Sequence, residues 1–71
     1  MSNLGVIERK VLGALIMSTR DEHGFTRINM RQLAQKMGYK APGGALTFAL
    51  KTLEMNNYIE KVESNKYKVF I

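Results

Sequence analysis

The stretch INMRQLAQKMGYKAPGGALTFALKTLEM, residues 28–55, decides the fold. Asn29 suits a helix N-cap, because its side-chain oxygen can accept from an N–H left without a partner in the first turn. Gln32, three residues later, can complete a capping box, and Ile28 and Leu33 have the spacing of a hydrophobic staple. Met30, Leu33, Ala34 and Met37 form one apolar stripe. Gly38 follows at the position where helices end on a left-handed residue. The pattern predicts a short helix over 30–37, specified at both ends. Gly38-Tyr39-Lys40-Ala41 makes a tight connection, and Pro42 suits the first turn of a second helix, where its missing N–H costs nothing. That helix is predicted over 42–55, with Leu46, Ala49, Leu50 and Leu53 as its buried stripe. Asn56 and Asn57 can close it in the left-handed conformation. Two short helices joined by a Gly-containing turn make a helix-turn-helix.

Upstream, Leu4, Ile7, Val11, Ala14, Leu15 and Ser18 follow helical spacing and predict a first helix over 4–19, with Ser2 or Asn3 as its cap. Leu12 and Ile16 widen its apolar face, which leaves room for a second neighbour or a homodimer. Arg20-Asp21-Glu22-His23-Gly24 is a polar loop, and Phe25-Thr26-Arg27-Ile28 is a brief run of strand formers. Downstream, two strand-like segments at 58–62 and 66–71 flank Ser64-Asn65, a tight-turn pair. The order is helix, strand, helix, helix, strand, strand. It predicts one α+β domain over 1–71, mainly α with a small antiparallel sheet, in which the hairpin is the wing of a winged helix-turn-helix.

Composition fits this reading. A 71-residue chain has room for one domain, and 45% hydrophobic residues spread along the length can fold. There is no cysteine, which removes disulfides and thiolate metal sites and suits a reducing, cytoplasmic setting. No apolar run is long enough for a bilayer, and the start lacks the basic residues of a secretory signal. The net charge of +5 is unevenly placed. Residues 1–26 are neutral, whereas the whole excess falls in 27–71. A basic surface concentrated there suits a polyanion, because each phosphate neutralised releases counterions.

The segment 28–62 resembles the DNA-binding domain of LexA-type repressors. The likeness rests on the LAQKMG helix end, the Gly38-Tyr39-Lys40-Ala41-Pro42 turn, the ALKTL helix, and Tyr58-Ile59-Glu60 entering the wing. It implies duplex-DNA binding and transcriptional regulation, repressor-like, with the third helix in the major groove. The family usually has Ser before the proline and a polar residue after it. Here Ala41 and Gly43 stand there, which removes a helix cap and some of the side chains that touch bases. The third helix is also one residue longer, near Gly43-Gly44. LexA-type repressors continue into a self-cleaving peptidase domain, to which nothing in these residues corresponds, so self-cleavage is not carried over.

On the outer face of the third helix, Thr47, Lys51 and Thr52 are placed to meet bases or phosphates. Gly43 and Gly44 allow close backbone approach to a phosphate. Arg31 stands in the first turn of the second helix, Lys36 and Lys40 flank the connecting turn, and Lys66 and Lys68 lie in the wing. Phe48 has three readings: a DNA contact, a protein contact, or a core residue if the helical phase is shifted. The competing function is a winged-helix protein-interaction module that uses Phe48 and Met55. No enzyme, metal or small-molecule cofactor is expected. His23 is the single histidine, without a second strong ligand at sensible spacing, and no nucleophile–base pair stands out.

Overall fold

In the computed structural model, residues 4–18 and 20–70 are described. The expected caps Ser2 and Asn3, together with Thr19 and Ile71, lie outside them. The elements are α1 (Val6–Met17), β1 (Thr26–Arg27), α2 (Met30–Lys36), α3 (Gly44–Met55), β2 (Ile59–Glu63) and β3 (Lys66–Val69). Their order is the one read from the sequence. The class is α+β, three helices with a three-stranded antiparallel sheet of order β1-β3-β2.

The start of α2 forms the capping box. The Asn29 side chain accepts from the Gln32 N–H at 2.8 Å, and the Gln32 side chain accepts from the Asn29 N–H at 3.0 Å. Loss of such a cap costs about 1 kcal/mol. Its end is a Schellman turn. The Gly38 N–H donates to the Gln35 carbonyl and the Tyr39 N–H to the Ala34 carbonyl. Gly38 takes φ +81°, a conformation that residues with a Cβ rarely adopt. The end of α3 repeats the device with Asn57 at φ +64°, the Asn57 N–H donating to Glu54 and the Tyr58 N–H to Leu53.

Two helices and one helix face differ from expectation. The first helix runs Val6–Met17 rather than 4–19, and its N-cap is Gly5, without a side-chain bond, in place of Ser2 or Asn3. The third helix begins at Gly44 rather than at Pro42, because Gly43 is extended (φ −142°, ψ −179°) and acts as the N-cap without a side-chain bond. Glycine is a poor helix former, by about 1 kcal/mol against alanine, so the pair at 43–44 yields the first turn readily. In α1 the apolar face is rotated. Leu12, read as a flank, is buried, whereas Ile7, read as core, is 37% exposed. The cause is tertiary, since α1 packs against both α2 and α3.

The core joins the three helices and the hairpin in one cluster: Val11, Leu12 and Leu15 from α1, Leu33 and Ala34 from α2, Leu46, Ala49, Leu50 and Leu53 from α3, Ile59 from β2, Tyr67 and Val69 from β3, and Ile28 between β1 and α2. The hairpin turns at Ser64-Asn65, where Asn65 has φ +62°. Its register passes from Lys61↔Tyr67 to Glu63↔Lys66, so Val62 is the extra residue of a bulge. The Asn65 carbonyl accepts from the Ile28 N–H at 3.0 Å and ties the hairpin tip to the entry of α2.

The loop before β1 is organised by one carboxylate. Asp21 Oδ1 accepts from the backbone N–H groups of His23 and Phe25, both at 2.9 Å, and Oδ2 meets Arg27 Nε at 3.2 Å. The bond from Phe25 is the largest cause that holds the Asp21 pKa below its ordinary 3.8; those from His23 and Arg27 add to it, and partial desolvation opposes them. The stabilisation is therefore present above pH 3.8 and is lost as pH falls through the lower native value. Asp21→Asn should lower the melting temperature near neutral pH and flatten its fall between about pH 5 and 2. Melts followed by circular dichroism across that range check this, and parallel curves for the two proteins would refute it.

Candidate nucleic-acid interface

The core stripe of α3 leaves an opposite stripe facing out. Gly44, Phe48, Lys51 and Met55 recur at helical spacing along it, and all four are exposed. Phe48 is 66% and Met55 75% exposed, which removes the core reading of Phe48. Thr47 is exposed on one flank of this stripe, and Thr52 is half-buried on the other. Gly43 and Gly44 are exposed, and a Cβ at either would meet nothing within 4 Å.

Beside that stripe a groove of about 380 Å³ opens between α3 and the hairpin. Thr47, Lys51 and Glu54 line it from α3, and Lys61, Ser64, Asn65 and Tyr67 from the hairpin. Met30, the first residue of α2, lines it as well, and Arg31 follows Met30 in the chain. The Tyr67 hydroxyl has its pKa raised, by burial first and by the Glu54 carboxylate second, and it remains a neutral hydroxyl.

The sheet register sorts the hairpin cations. Ile59 and Lys61 lie on one face of β2, opposite Val69 and Tyr67 of β3. Lys61 therefore continues the inward face beyond the core and reaches the groove. Lys66 and Lys68 alternate with the buried Tyr67 and Val69, so they stand on the other face. Lys66 is occupied there. Its Nζ lies 4.7 Å from the centre of the Phe25 ring and 4.0 Å from Glu63 Oε1, and its side chain is 15% exposed. Lys68 is paired across the strands with Glu60 and lies 5.4 Å from the centre of the Phe70 ring.

The acidic residues separate the two faces further. Asp21, Glu60 and Glu63 accompany Arg27, Lys68 and Lys66 on the outer side of the sheet, which is thereby close to neutral. Around α3, Glu54 is the acidic group in the groove that also holds Lys51 and Lys61. Arg31 and Lys40 are exposed on the neighbouring helix start and turn. Lys36 is set apart, lining grooves toward α1 with Ser18 and Arg27 on one side and Lys10 and Met17 on the other. The structure thus brings Thr47 and Lys51 together with Lys61, leaves Lys66 and Lys68 on the opposite sheet face, and keeps Lys36 on the α1 side. Lys61 escaped the sequence reading, although its parity with Ile59 was a usable signal.

Comparison with protein-family models, with curated proteins and with solved structures found no match to this chain. Among the described residues no helix is long and apolar enough to cross a membrane.

Proposed function

We propose that this domain is a winged helix-turn-helix module that binds double-stranded DNA and regulates transcription in the cytoplasm. In this reading α3 enters the major groove, the hairpin is the wing, and α2 lies across the backbone. The observation that carries it is the juxtaposition of Lys51 and Lys61 across one groove, beside an exposed α3 face. Lys51 meets the phosphate or base edge nearest the helix, and Lys61 meets the backbone that borders the same groove. Arg31 and Lys40 extend the cationic surface. The sequence likeness of 28–62 to LexA-type DNA-binding domains supports the same assignment.

A salt titration tests it. With Arg31, Lys40, Lys51 and Lys61 each neutralising one phosphate, log Kobs should fall linearly with log salt, with a slope of roughly −3 to −4. Anisotropy of a labelled duplex reads this directly. No binding at low salt, or a flat response, overturns it.

The exposure of Phe48 and Met55 favours a second reading, a protein contact through the outer face of α3. It predicts that Phe48→Ala abolishes association seen in sedimentation while duplex affinity stays unchanged.

A further inference from the structure

The outward stripe of α3 has an unusual chemistry for a base-reading surface. Between Gly44 and Met55 there is no Arg, Asn or Gln. Those residues supply the bidentate contacts that read guanine or adenine in the major groove. The stripe offers instead two large apolar groups, Phe48 and Met55, and one cation, Lys51, between them. Phe48 and Lys51 are three residues apart, and Lys51 and Met55 four, so the three share one helical face. The one strongly apolar feature of the major groove floor is the thymine 5-methyl group.

We propose that Phe48 and Met55 are specificity residues that read thymine by contact with its methyl group, on sites where Lys51 meets a guanine edge or a phosphate between them. This rests on the DNA-binding reading above. Charge decides between a nucleic acid and a protein as the occupant. A protein partner covering Phe48 and Met55 would bury the Lys51 ammonium between them, with a desolvation cost that only an acidic group placed there would offset. A major groove presents methyl groups on its floor and phosphates along its edges, so the same docking satisfies all three side chains. The groove shared by Lys51 and Lys61 continues this surface toward the hairpin.

The probe is a duplex selected on the protein from a random-core pool, compared with the same duplex carrying deoxyuridine in place of thymine. That change removes the methyl group alone and leaves base pairing intact. The wild-type domain should lose about fourfold in affinity per contacted methyl, the worth of one buried carbon. Phe48→Ala and Met55→Ala should each bind the thymine duplex more weakly and discriminate less between the two duplexes. Both side chains are largely exposed, so the variants are expected to melt as the wild type does. Equal affinity of the wild type for both duplexes overturns the proposal, as does undiminished discrimination by the two variants. Selection of a dimer that Phe48→Ala dissociates, with equal affinity for both duplexes, assigns the face to a second copy instead. Failure to bind any duplex at low salt is a different result and removes the DNA-binding reading itself.

Discussion

Leu53→Ala is expected to leave the domain only marginally folded at room temperature. Leu53 is fully buried on α3, and its carbonyl closes that helix by accepting from the Tyr58 N–H at 3.0 Å. Truncating a buried leucine removes its transfer energy and opens a cavity, together costing about 3–5 kcal/mol. A chain of this length has a total stability of roughly 4–10 kcal/mol. The variant therefore keeps about two thirds of that at best and nothing at worst. The site has little scope to collapse, because Leu46, Ala49 and Leu50 on the same face are buried too and are held by α1 and the sheet. Urea unfolding followed by circular dichroism measures the loss. A change below about 1 kcal/mol would mean that α3 is not the helix on which the core is built. Phe48→Ala supplies the contrast, since its side chain is 66% exposed on the opposite face and its removal should cost little.

The elements that were legible in the sequence are those fixed by local chemistry. The capping box at Asn29 and Gln32 needs four consecutive residues and nothing else, and it forms as read. Gly38 and Asn57 close their helices because their left-handed conformation is a property of the residue in its turn. The stripe Leu46, Ala49, Leu50 and Leu53 is buried as expected, since α3 presents one face to one core. Prediction was weaker where a distant partner decides. Which of Ile7 and Leu12 is buried depends on how α1 sits against two helices at once, and the wide apolar face of α1 did not choose between them. Pro42 is compatible with a helix start, but the extended Gly43 moved that start to Gly44, and both choices are locally cheap.

The site was less legible than the core for a related reason. A charge carries no record of its partners in the sequence. Lys66 reads as a free wing cation until the register sets it beside Glu63 and Arg27 and over the Phe25 ring. Lys61 reads as an ordinary strand lysine until Tyr67 is placed opposite it. Alternation along the two strands already separates Lys61 from Lys66 and Lys68. What alternation alone does not show is that the inward face of the hairpin outruns the core and opens on α3.

That difference yields a second large effect. Lys51→Ala with Lys61→Ala is expected to weaken duplex binding by about tenfold per lysine, on the scale of an exposed charge-assisted hydrogen bond. It should also make the salt slope shallower by roughly 1.8, because two phosphates are no longer neutralised. Lys66→Ala with Lys68→Ala removes the same two charges from the net +5. Yet it removes them from a face where Glu63 and Glu60 lie beside them, so its slope should change by less than half as much. Since both doubles alter the overall field of the domain equally, the gap between them isolates contact at the α3 groove from long-range attraction. Matching losses in the two doubles would show that the duplex senses net charge alone. A larger loss in the Lys66 and Lys68 double would move the interface to the outer face of the sheet. In that geometry α3 could not be the element that enters the groove, because its exposed stripe and the far side of β3 cannot face one duplex together.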